Sequence, residues 1–204
     1  MISLQFLITA IVICIAPGTG VIYTLALGLG QGRRAAIAAA LGCTVGIVPH
    51  LAAATLGLAA LLHTSAVLFQ IVKFAGVAYL LYLAWQALKS DGALAIRPDA
   101  QAQPMFKIAR RGALINILNP KLSIFFLALL PPFLSGNPAT ATTEMVMLGG
   151  IFMALTFVIF VLYGTFASLA RDRLLQSASV MRWLSRSFAG IFAALGLRLA
   201  FEKA

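Results

Sequence analysis

From Met145 to Leu169 the chain carries 25 consecutive residues without a charged side chain, and five further runs are predominantly apolar. A helix that crosses a bilayer needs about 20 such residues. Inside hydrocarbon the backbone must satisfy its own polar groups, which confines a spanning chain to helices or a closed barrel. The runs fall at about 4–27, 36–62, 66–88, 112–134, 145–169 and 183–201 and predict an all-α integral membrane protein of six transmembrane helices. Composition agrees: 10% of residues are charged, against roughly 25% in a soluble domain. In the sixth run Arg186 and Arg198 lie near the ends, where long side chains snorkel to opposite interfaces. The opening "MISLQFLITA" has no basic leader and reads as a first span, not a cleaved signal.

The net charge of +10 would suggest nucleic acid in a soluble protein. Here the basic residues are scattered through short loops, and no soluble region is long enough to present a nucleic-acid-binding face. Their distribution instead sets orientation. Arg33 and Arg34 fall in the first loop, and Lys89, Arg97, Lys107, Arg110 and Arg111 in the third. Arg171, Arg173 and Arg182 fall in the fifth. The second loop, near His63, has no Lys or Arg, and the fourth ("SGNPATATTE") has only Glu144 as a charge. Basic loops stay in the cytoplasm, so both termini are predicted to be periplasmic.

The third loop, 89–111, is the only sizeable polar stretch and reads as a cytoplasmic linker between residues 1–88 and 112–204. Each flanking half holds three runs. An odd number makes the halves cross the membrane in opposite directions, the arithmetic of an inverted 3+3 repeat. "FAGVAYLLYLAWQAL" from Phe74 and "FAGIFAALGLRLAF" from Phe188, each third in its half, fit that repeat.

The first run of each half is also interrupted. The first contains "APGTG", with Pro17, Gly18, Thr19 and Gly20; the fourth contains "NILNPKLSIFF", with Asn119, Pro120 and Lys121. Proline removes a helix hydrogen bond and clashes with the preceding turn. Paired interruptions in corresponding helices point to a transporter's substrate site. Exposed helix ends there offer N–H groups to a carboxylate and C=O groups to an ammonium. These seven residues are the predicted substrate site, suited to a zwitterion.

"APGTG", "KFAGVAYLLYLAWQAL" and "NILNPKLSIFFLALLPPF" together resemble the lysine exporter superfamily, most closely its homoserine/threonine exporter branch, over nearly the whole length. Thr19, Gly20 and the Pro131–Pro132–Phe133 run depart from the residues that many members carry there. The resemblance implies six spans, residence in the bacterial inner membrane, and export of small amino acids or related metabolites. It also implies energy drawn from the proton gradient.

His50, after Pro49 in the second run, is the candidate for proton coupling, because imidazole exchanges a proton near neutral pH; a neutral histidine bonded between helices is the equal alternative. All five acidic residues, Asp91, Asp99, Glu144, Asp172 and Glu202, lie in loops or at the end. No intramembrane carboxylate can then pair with a cationic side chain, which favours neutral substrates exported by proton antiport. "GCTVG", Gly42 to Gly46, fits close helix packing. Cys14 and Cys43 form no CxxC pair and read as small buried hydrophobes. No cofactor and no metal site is predicted, and the function is transport, not enzymatic. The partners are a small-molecule amino acid and membrane lipid, with self-association left open. The rival readings are a transmembrane thiol relay through the two cysteines and a channel or metal-ion exporter, although no metal-ligand cluster is visible.

Overall fold

The computed structural model describes residues 2–16, 18–61 and 102–169, together with eight positions between 71 and 85 and five between 186 and 197, all helical. The third and sixth runs therefore lie largely outside the described residues, and so does Pro17 of the first run. So do the linker up to residue 101 and the whole of the fifth loop.

Among the described residues all regular secondary structure is helical. Helix α1 is Leu4–Ile15, capped by the Ser3 hydroxyl on the Phe6 N–H, and α2 is Thr19–Gln31. Gly32 takes φ 84° and turns the chain straight into α3, Arg33–Val45. A positive φ there is available to glycine at no steric cost. A turn at Gly46 and Ile47 leads into α4, Val48–Leu61, with Pro49 in its first turn, where a missing N–H costs nothing. Helix α5 is Met105–Ile117 and α6 is Pro120–Ile124. The latter continues through a π-turn at Phe125–Leu129 and a 3-10 turn at Pro131–Phe133. Helix α7, Pro138–Leu169, is 32 residues long.

Arg33–Gly57 and Pro138–Leu169 are each long and apolar enough to cross a membrane. Each of the two bent pairs, α1 with α2 and α5 with Pro120–Phe133, also qualifies when taken as one span. The bends are 55° and 52°. Twelve residues of α1 rise only about 18 Å, little more than half the hydrocarbon thickness. Taken as one span, each bent pair has its break within its length, not at its end.

Two helices begin earlier than the apolar runs suggest. Helix α5 starts at Met105, seven residues before 112, because its first turns are amphipathic: Ile108 is fully buried while Lys107, Arg110 and Arg111 face outward. Helix α7 starts at Pro138, so Glu144 is helical; the Asn137 side chain accepts from the Ala139 N–H. Asparagine before proline at the first helical position is a start signal hidden inside a polar stretch. The Glu144 carboxylate closes this corner by accepting from the Ser135 N–H, the Ser135 hydroxyl and the Thr140 hydroxyl.

Close packing depends on glycine. Helix α3 lies most intimately against α5: a Cβ on Gly42 would collide with the Ala109 carbonyl, and one on Gly46 would lie 2.5 Å from the Ala113 carbonyl. Gly112 of α5 answers them, its missing Cβ facing Ala39 and Cys43. Helix α7 crosses both α2 and α3, with Gly164 against Ala36 and Gly28 against the Gly164 carbonyl. Without water to drive helices together, small residues that admit backbone contact supply the packing. Near the other end, Phe125 stacks on Phe152 at 4.1 Å, and Phe126 meets the same ring edge-on at 5.5 Å.

Candidate functional site

The two breaks are brought together. In a helix the carbonyl of each residue accepts from the N–H four positions later, and proline has none to give. Pro17 thus leaves the Ile13 carbonyl without its helical donor, and Pro120 does the same to Asn116. An unsatisfied carbonyl costs several kcal/mol in hydrocarbon; the Asn119 N–H turns back to the Asn116 carbonyl at 3.0 Å, and side chains complete both seals.

For the first break that side chain is Lys121. Its Nζ donates to the Ile13 carbonyl at 2.7 Å and to the Ala16 carbonyl at 2.9 Å. The Tyr163 hydroxyl, from α7, donates to the carbonyl of Ile15 at 2.8 Å. For the second break it is His50. Its Nε2 donates to the Asn116 carbonyl at 2.8 Å, and its Nδ1 lies 3.0 Å from the Ser123 hydroxyl. A carbonyl only accepts, so the hydrogen is on Nε2. The N-terminal side of the second break is also closed locally, because the Asn119 side chain accepts from the Lys121 N–H at 3.1 Å. By contrast α2 begins at an N-cap glycine, Gly18, which has no side chain to cap it.

A third carbonyl is freed at the turn between α3 and α4. The Ile47 N–H turns to Thr44, leaving Cys43 without that donor, and the buried Asn116 side chain donates to the Cys43 carbonyl at 2.8 Å. Asn116 thereby ties three breaks into one cluster: its main chain accepts from His50, its amide caps α3, and its Oδ1 presses on Gly20.

Between the breaks lies a cavity of about 30 Å³, room for roughly two waters and far smaller than the few hundred Å³ of small-molecule sites. Of the predicted site residues, Gly18, Gly20, Asn119 and Lys121 line this cavity. Thr19 and Pro120 are exposed first residues of α2 and α6 and do not line it. His50 sits behind the second break, off the cavity. Pro17 lies outside the described residues.

Residue patterns missed Asn116, Cys14, Thr156, Phe152 and Phe160, all of which line the cavity. Asn116 stood inside the quoted "NILNP", and a buried amide beside a proline break is a usable signal. Thr156 donates to the Phe152 carbonyl at 2.8 Å, so the Cys14 thiol is the donor in its 3.2 Å contact with the Thr156 hydroxyl. Cys43 faces the Gly20 carbonyl instead, at 4.0 Å. The two thiols are buried, free and engaged with different partners.

Residues 11–203 match the family model of the LysE type translocators. An uncharacterized membrane protein of Vibrio cholerae serotype O1 is 30% identical, the match covering 98% of this chain and 97% of that one. A homoserine/homoserine lactone efflux protein of Salmonella typhimurium is 29% identical, over 96% and 94% of the two chains. A leucine efflux protein of Klebsiella pneumoniae is 27% identical, over 97% and 93%. No solved structure matches. Its apolar helices and these relatives place the protein in the inner membrane, which it crosses more than once. The chain belongs to the LysE type translocator family.

Proposed function

We propose that the protein exports small neutral amino acids or close derivatives, homoserine-like or leucine-like, in exchange for protons. One observation carries this reading: the carbonyl end of α1 and the amide end of α2 open onto the same cavity. Carbonyls suit an ammonium, and the N–H groups of a helix start suit a carboxylate. A zwitterion has both at the spacing of one carbon. Among the described residues the lining contains no carboxylate to hold a cationic side chain, which agrees with neutral substrates. The relatives named for homoserine and leucine efflux support the same class.

Around this site the reading places six spans in two inverted halves, 1–88 and 112–204, with both termini periplasmic. The matched bends of 55° and 52° support it. A C-terminal topology reporter that reads cytoplasmic would break that arrangement.

His50 is the proton-coupling residue of this proposal. Its contacts fit either protonation state: Nε2 keeps its donation to Asn116, and protonation of Nδ1 only turns the Ser123 hydroxyl from donor to acceptor. Overexpression is expected to protect cells from toxic homoserine or threonine, and collapse of the proton gradient to end export. Export that ignores the gradient, or an unaffected His50→Ala variant, removes the coupling. Preference for lysine or arginine in reconstituted vesicles removes the neutral substrate.

A further inference from the structure

Lys121 holds a position that the export reading assigns to someone else. Its Nζ sits on the Ile13 and Ala16 carbonyls, the two groups to which a substrate ammonium would bind. Its stem runs past the start of α2: a Cβ on Gly18 would lie 3.7 Å from its Cδ and 3.9 Å from its Nζ. The same side chain therefore borders both the carbonyl end and the amide end of the first break.

We propose that Lys121 is an internal stand-in for the substrate's ammonium, and that the site selects zwitterions because only they release it. This rests on the export reading above. The lysine satisfies the Ile13 and Ala16 carbonyls, so neither is left bare. An arriving zwitterion places its ammonium on those carbonyls and its carboxylate beside the start of α2. The displaced Lys121 ammonium finds that carboxylate within reach of its short retreat. Every charge has a partner before and after the exchange, and the net charge of the site changes by nothing.

A simple amine breaks this symmetry. It competes for the same carbonyls but brings no anion, which leaves two cations in one small, water-poor cavity. Like charges there repel far more strongly than in bulk water. The site thus rejects amines that lack a carboxylate, although nothing in the lining excludes them by size alone.

The test compares binding of homoserine with that of 3-aminopropan-1-ol, the same molecule without its carboxylate, to the purified full-length protein in lipid nanodiscs. Wild-type protein is expected to bind homoserine and to bind the amine poorly. In Lys121→Met the carbonyls are unoccupied and no cation is displaced. The amine should then bind more tightly, and its affinity relative to homoserine should rise by about tenfold or more, the equivalent of a single charge-assisted contact. Lys121→Gln, whose amide still donates to the carbonyls but carries no charge, covers the case of a Met variant that fails to fold, with the same expected direction. Amine binding that is unchanged or weaker in the variants, while wild-type protein binds homoserine, overturns the stand-in role alone and leaves the export reading in place. Wild-type protein that binds neither homoserine, threonine nor leucine overturns the export reading, and the stand-in with it.

Discussion

At the second break the carbonyl that Pro120 deprives of its helical donor accepts from the Asn119 N–H and from an imidazole that Ser123 fixes from its other side. At the first, the carbonyl orphaned by Pro17 is held by the tip of a lysine reaching across from α6. The starting chemistry is the same, a proline that removes one donor. The seals differ in how easily they open. A ring bonded at both nitrogens has little freedom, and Asn119 closes the amide side of that break too. A lysine tip has several rotatable bonds and strong hydration elsewhere, and Gly18 leaves the amide side without a cap. The second break is thus built as a wall and the first as a seat, and variants at matched positions should separate the two.

The largest effect is expected from the prolines. Leucine at 17 supplies an N–H for Ile13 and competes with Lys121; leucine at 120 supplies one for Asn116 and competes with His50. Both Pro17→Leu and Pro120→Leu should stop export while membrane abundance stays near wild type. Binding of homoserine should then tell them apart. Loss of carbonyls that bond an ammonium is worth about 1.5–3 kcal/mol each, so Pro17→Leu should weaken binding by about a hundredfold. Pro120→Leu, acting on the wall, should weaken it by about tenfold. Equal losses in binding would erase the distinction between wall and seat, and full transport by both would reduce the prolines to ordinary kinks.

Much of this is legible in the residues alone. A proline in the first run of each half is visible in "APGTG" and "NILNP", and so is the orphaned carbonyl that each implies. What single-residue patterns do not carry is the donor. His50 reaches Asn116 across 66 positions, and Lys121 reaches Ile13 across 108; no local spacing encodes either pairing. The residues alone do not single out Asn116, which is buried and caps a different helix. Thr19 and Pro120 were drawn into the site by adjacency alone. Each starts a helix, is exposed and does not line the cavity. The early starts of α5 and α7 were hidden for another reason: their first turns are amphipathic or polar and fall outside any apolar window.

The next effect in size is expected at Gly20. A Cβ there would stand 2.7 Å from the Asn116 Oδ1 and 3.0 Å from the Phe160 ring. Asn116 cannot yield freely, because its amide is committed to Cys43. Overpacking of this kind costs about 1–3 kcal/mol, and here the added methyl also occupies a cavity of only about 30 Å³. Gly20→Ala should lower export by about tenfold or more and lower thermal stability in detergent as well. A variant with normal stability and normal export would show that the wall moves, contrary to its double anchoring.

Gly18 is the smallest and the most discriminating of these tests. Its φ of −119° and ψ of −177° are extended backbone, open to any residue. A Cβ would meet only the Lys121 stem, at ordinary contact distances of 3.7 and 3.9 Å. Gly18→Ala should therefore leave abundance and thermal stability at wild-type values. The new methyl nevertheless stands at the start of α2, where a substrate carboxylate would approach the N–H groups. Half-saturating homoserine should rise by about two- to fivefold, a cost below about 1 kcal/mol, with the maximal export rate little changed. If stability falls as far as in Gly20→Ala, the first break is as tightly packed as the second and the seat is no more open than the wall. If neither stability nor half-saturation moves, the carboxylate does not enter beside α2, and the ammonium on the α1 carbonyls must orient the substrate without it.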